Sequence, residues 1–195
     1  MALVPMVIES GPNGERAMDI GSRLLRDRII MLNTKVDEVS ASLIVQQMLF
    51  LESESSDPIH FYVTSGGGSV YHGMTIYDTM QFMKAPVYTY ANGIVASMAS
   101  LLSQAGEPGH RYMMPHARHM IHQVSSGTQG TAMDMEIAMK ETLTLNNQLT
   151  QIYVDHNTKN RGFDELKKDM SRDYYMSAQE AIEYGLADVI LTKRA

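Results

Sequence analysis

The chain has 195 residues, of which 44% are hydrophobic and 19% charged, and its formal net charge is −6. That is enough apolar material for one buried core and too little charge for a disordered polymer. The acidic balance argues against nucleic acid as the main ligand, the lack of cysteine excludes disulfides and thiolate zinc sites, and no stretch reaches the ~20 apolar residues of a membrane span.

The opening "MALVPMVIESGPNGERAMDI" has no basic region, and Pro5 breaks its apolar run, so it reads poorly as a secretion signal. The expected location is the cytoplasm, or an organelle stroma or matrix. Residues 3–8 are apolar, and 9–16 read as a loop. "SRLLRD" closes a short helix, and a strand follows at 28–33. Acidic residues early and apolar residues at helical spacing predict a helix over 37–53. "IHFYVTS" (59–65) is a strand that runs straight into "GGGS". A helix over 70–84 precedes Pro86, and "VYTYA" (87–91) is the next strand. Residues 97–104 read as a helix, "HRYMM" as a strand ended by Pro115, and "HARHMIHQ" as holding another short strand. The polar stretch "VSSGTQGT" leads to the longest helix, 132–156. "FDELKKDM" and "SAQEAIEYG" are two further helices, the second with a Ser177–Glu180 capping box and a Gly185 stop, and "ADVIL" is the last strand. Strands alternating with helices give an α/β fold, in which ligands collect at the strand-to-helix joints.

Two joints stand out, "TSGGGS" and "ANGIVAS". The glycine loop fits neither dinucleotide nor P-loop spacing. It is either a tight turn or a set of backbone N–H groups facing developing negative charge. Ser97 is either a helix cap or a nucleophile in need of a base. The candidate bases are His60, His72, His110, His116, His119, His122 and His156. His122 is the best placed, at the end of the apolar "HMI" and before a polar loop. Asp173, in "SRDYYMS", is either an exposed loop residue or the carboxylate that orients the imidazole. The order Ser, His, Asp differs from the three familiar triad orders. His116, His119 and His122 are three apart, but on a strand that spacing alternates faces, so no metal site is expected. No cofactor is expected either.

Taken together, "LIVQQMLFLE", "GMTIYDTMQFMK", "ASMAS", "MIHQ" and "DYYMSAQEAIEYGLAD" resemble the proteolytic-subunit (ClpP) family of the ATP-dependent caseinolytic protease, over nearly the whole chain. The resemblance implies a single domain, 1–195, with a crotonase-like α/β fold: a spiral β-sheet head, an axial N-terminal segment (about 1–20) and an extended handle (about 123–156, with 123–131 strand-like). It implies a homo-oligomer of two stacked seven-membered rings. An AAA+ unfoldase of the ClpX, ClpA or ClpC type would feed it unfolded polypeptides, and ATP would be used only by that partner. Carried over by position, Ser97 is the nucleophile, His122 the base and Asp173 the acid. Gly68 and Met98 give the oxyanion N–H groups, and Leu49, Tyr62, Phe82, Tyr112 and Leu191 form the unfoldase docking pocket. The chain departs from the family pattern at Gly66 (usually Pro), Ala99 (usually Gly, expected here to narrow the site), Val124, Ser125 and Ser126 (usually Pro and Gly-Gly), and Ser171 (usually acidic). Two other functions are compatible with parts of this pattern: a catalytically impaired ring subunit that modulates another peptidase, and a crotonase-type acyl-CoA enzyme.

Overall fold

The computed structural model describes residues 4–11 and 14–193. Its elements run β1 (Met6–Gly11), β2 (Gly14–Asp19), α1 (Ile20–Arg26), β3 (Ile29–Leu32), α2 (Glu38–Glu54), β4 (Ile59–Ser65), α3 (Val70–Phe82) and β5 (Val87–Ala96). They continue with α4 (Met98–Gln104), β6 (Arg111–Met113), β7 (Arg118–Ile121), α5 (Ala132–Asp155), α6 (Phe163–Asp169), β8 (Tyr174–Ser177), α7 (Ala178–Tyr184) and β9 (Val189–Ile190). Strands β3, β4, β5, β6 and β9 pair in that order, all parallel. The strict alternation of "IHFYVTS" sends Ile59, Phe61, Val63 and Ser65 inward, where they are buried. Helices α2, α3 and α4 bring Ile44, Met48, Leu51, Ile76, Met80, Leu101 and Leu102 into the same core.

The opposite face of this sheet carries a continuous row, Met31–Tyr62–Tyr90–Tyr112–Val189, one residue from each strand. The Tyr62 and Tyr90 rings stack at 4.4 Å between centroids, and those of Tyr90 and Tyr112 at 5.0 Å.

Three expectations change. Residues 9–16 are not a plain loop: β1 and β2 form an antiparallel hairpin that pairs Met6 with Asp19 and Gly11 with Gly14. Its Val4, Met6 and Ile8 side chains are exposed, while Leu3 lies outside the described residues. Strand β5 does not stop at 91. Five residues of β5, Ala91 to Val95, oppose three of β4, Val63 to Ser65, so the strand bulges over Asn92–Ile94 and continues to Ala96. After the bulge it still pairs with β4 through Val95 and Ser65, while on its other edge it exchanges β6 for β7. Residues 123–131 form no strand. They run beside α5, tied by the Val124 N–H to Asn146 Oδ1 (2.9 Å) and by Ser126 Oγ to Thr142 Oγ1 (2.9 Å), since no neighbouring strand is available to them in this chain. A strand unseen in the sequence, β8, pairs antiparallel with β7.

Helix α5 starts with a Thr131–Asp134 capping box. Its second half buries Leu149, Ile152 and Tyr153, whereas Met133, Met135, Ile137, Met139 and Leu143 in its first half are exposed.

Candidate active site

Ser97 follows the last residue of β5 and precedes the first of α4. It takes φ 55°, ψ −129°, and its side chain makes no capping hydrogen bond. A positive φ in a residue other than glycine costs on the order of 1–3 kcal/mol and survives only where the surroundings impose it. Here the Ser97 N–H donates to Met120 O at 3.0 Å, and Ser97 O accepts from the N–H groups of Ser100 (3.0 Å) and Leu101 (3.3 Å). The hydroxyl is therefore left free of the helix and turned into a cleft.

His122 comes one residue after β7, and Asp173 one residue before β8. The β7–β8 register places Ile121 opposite Tyr174, so the next residue out on one strand and the previous one on the other lie at the same end of the pair. His122 Nε2 lies 2.8 Å from Ser97 Oγ, and His122 Nδ1 lies 3.2 Å from Asp173 Oδ1. In this chain alone the Asp173 side chain is 57% exposed and that of His122 22%, because among the described residues nothing beyond the β7–β8 tip covers it.

The glycine loop lies against this turn. The Val36 N–H donates to Gly67 O (2.9 Å) and the Ser69 N–H to Val36 O (2.8 Å). In a parallel bridge of this kind the N–H of the middle residue, Gly68, points away from Val36. Among the described residues neither the Gly68 nor the Met98 N–H has an acceptor. Both residues, with Ser97, His122, Leu149 and Tyr153, line a small pocket of about 40 Å³. A Cβ on Gly67 (φ +90°) would sit 2.6 Å from Ala96 O and 2.9 Å from Met98 N, and one on Gly68 (φ +157°) would overlap Val36 O. Only glycine lets the loop come this close to the serine turn. Gly66 is different: a Cβ there would meet nothing within 4 Å. Ala99, expected to narrow the site, turns into the core instead and is fully buried.

A wider groove of about 790 Å³ opens from His122, lined by Val124, Ser126, Met139, Leu143 and Asp173 among others. Val124 and Ser125 also line the small pocket, so the altered stretch after His122 borders both spaces.

Four of the other histidines are engaged elsewhere: His60, His110 and His156 bond the hydroxyls of Tyr90, Tyr112 and Tyr77, and His119 bonds Ser100. His72 lies on α3 and His116 between β6 and β7. Among the described residues no cluster of three or more His, Asp and Glu has metal-holding spacing. Tyr62 and Tyr112 lie, partly exposed, in the aromatic sheet row. Leu191 continues from β9, with its N–H on Met113 O, while Leu49 on α2 and Phe82 at the end of α3 are exposed. The sequence reading missed Tyr153, which reaches the pocket from α5, and the buried Ser100, and it weighed His119 only as a base or a metal ligand, not as a group behind the serine. The available signal was a polar residue inside each of two apolar runs, "ASMAS" and "RHMI".

The family model described as Clp protease matches residues 12–194 of the chain.

Proposed function

Because the chain belongs to the Clp protease family, we propose that it is a ring-forming serine endopeptidase subunit in which Ser97 is the nucleophile, His122 its base and Asp173 the group that orients the imidazole. Its seven helices and mostly parallel sheet, among the described residues, match that family's crotonase-like fold. The 2.8 Å approach of His122 Nε2 to a Ser97 hydroxyl that caps nothing carries this reading.

Ser97 Oγ attacks the scissile carbonyl carbon while His122 Nε2 takes its proton. The oxygen, now negative, is met by the unbonded N–H groups of Gly68 and Met98, a pair of donors whose loss one at a time costs roughly 3 kcal/mol of barrier in such enzymes. The tetrahedral species collapses, the C–N bond breaks and His122 returns the proton to the departing amine. Water then attacks the acyl-enzyme with His122 again as base, releasing the acid and restoring Ser97. Asp173 accepts from His122 Nδ1–H, which leaves Nε2 bare and facing the serine.

The substrate would be unfolded polypeptide laid along the groove beside α5 and delivered into a chamber formed by two stacked seven-membered rings. The row of stacked tyrosines, with Leu49, Phe82 and Leu191, suits the docking loop of an AAA+ unfoldase, since it is a wide, partly exposed aromatic row on the sheet face away from the core. A second reading, an impaired subunit that co-assembles with another peptidase, rests on the exposed Asp173 and the altered stretch Val124–Ser126.

A fluorogenic dipeptide, which needs no unfoldase, separates the two. The first reading expects turnover that falls by at least ~10⁴-fold in Ser97→Ala with assembly unchanged, and fluorophosphonate labelling confined to Ser97. Absence of both in the wild-type assembly selects the second.

A further inference from the structure

Directly behind the serine turn lies a buried polar chain that the mechanism above does not use. His119 on β7, Ser100 on α4 and Tyr153 on α5 are all buried, at 0%, 0% and 2% exposure. Ser100 Oγ lies 3.1 Å from His119 Nδ1 and 2.8 Å from Tyr153 Oη, and Tyr153 Oη lies 3.3 Å from Ser97 O. His119 Nε2 has no partner.

The end of this chain fixes the direction of every bond in it. A carbonyl only accepts, so Tyr153 donates to Ser97 O. Its oxygen then accepts from the Ser100 hydroxyl, and Ser100 accepts from His119 Nδ1–H. Burial keeps His119 neutral, so its single ring proton sits on Nδ1 and the bare Nε2 is the atom without a partner. Ser100 and Tyr153 each donate once and accept once, His119 only donates, and the chain ends on the Ser97 carbonyl.

That carbonyl belongs to the same peptide group as the Met98 N–H. A peptide unit is planar and trans, so its C=O and N–H point in opposite directions, and holding one end aims the other. Hydrogen bonding to the oxygen also polarises the amide and strengthens its N–H as a donor. Resting on the proteolytic reading above, we propose that Tyr153 is a positioning residue: its hydroxyl, aligned by Ser100 and His119, holds the Ser97–Met98 peptide so that the Met98 N–H faces the oxyanion. Because Tyr153 comes from α5, the pose of that helix feeds directly into one of the two oxyanion donors.

The test is peptide hydrolysis by the assembled protein. Tyr153→Phe keeps the ring that lines the pocket and removes only the hydroxyl. It is expected to lower kcat about five- to tenfold with KM within twofold, since the affected donor acts on charge that exists only in the transition state. Affinity for a peptide boronate, whose tetrahedral adduct puts an oxygen at the same donors, is expected to fall by a similar factor. The triple variant His119→Val, Ser100→Ala, Tyr153→Phe replaces the whole chain with apolar groups and leaves no buried polar atom orphaned, so it recovers thermal stability; its kcat is expected to stay low. Wild-type kcat in Tyr153→Phe, or a kcat that recovers with stability in the triple variant, overturns the inference and leaves the proteolytic reading intact. No hydrolysis by the wild-type protein overturns both.

Discussion

Ser97 shows how little a single residue says before its surroundings are known. As a residue at a strand-to-helix joint it could cap α4, and its sequence context is that of a cap. The positive φ turns its hydroxyl away from the helix N–H groups and toward His122. The neighbouring glycines differ from one another in a way their sequence hides. Gly66→Ala is expected to leave stability and activity within a few tenths of a kcal/mol, since its Cβ enters open space. Gly67→Ala and Gly68→Ala are each expected to cost at least ~2 kcal/mol in urea denaturation, with peptidase activity lost, because the added carbon meets backbone. Equal effects at all three positions would refute this account of the loop. His119 carries a pH signature. Burial first, then the charge of Arg111, lowers its pKa from 6.5 to about 3. The unfolded chain therefore takes up a proton that the folded state refuses. The stability tied to this group is complete above pH 6.5 and is lost on acidification toward pH 3, by at most ~1.4 kcal/mol per pH unit. Between pH 6.5 and 5 the wild-type urea midpoint is expected to fall more steeply than that of His119→Val, and parallel profiles would show that His119 is not the source.

Among the elements, helices such as α2 and α7 are legible from their ends, and β5, β8 and the β1–β2 hairpin are not. Helix α7 has Ser177 accepting from the Glu180 N–H and the Glu180 carboxylate accepting from the Ser177 N–H, and the Ser177 N–H, then its hydroxyl, hold that carboxyl below its ordinary pKa. Ser177→Ala removes one of them and is expected to cost about 1 kcal/mol, read as a lower midpoint in chemical denaturation. The signal is local because a cap is made by residues three apart. Strand β8 has no such signal. "YYMS" reads equally well as a linker between helices, and what makes it a strand is β7, more than fifty residues earlier in the chain. That pairing is also what carries Asp173 to His122. The extension of β5 past Ala91 is of the same kind: Asn92 and Gly93 read as a turn, yet the partners on either side keep the strand going through a bulge.

For the whole molecule the informative feature is what this chain leaves uncovered. Met133, Met135, Ile137, Met139 and Leu143 expose a long apolar stretch on α5, more than an isolated chain normally presents. A facing ring would bury it. Ile137→Asp is expected to dissociate the assembly into single rings, seen by native mass measurement, with a parallel loss of peptidase activity; an unchanged assembly mass would place the ring contact elsewhere. The same surroundings would shield Asp173, which is exposed at the β7–β8 tip of a single chain.

The sequence by itself determined the α/β alternation, the helix ends and the inward face of β4, because each follows from residues two to four positions apart. It also carried, through the joint order of several segments, the family to which residues 12–194 match. Only the tertiary structure decided that Ser97 caps nothing, that β8 exists, that three side chains from separate segments meet at one end of a strand pair, and that a buried tyrosine holds the serine's carbonyl. Those are contacts between residues tens of positions apart, and local preference carries no information about them. They are fixed only when the core closes and each segment takes the conformation its neighbours impose.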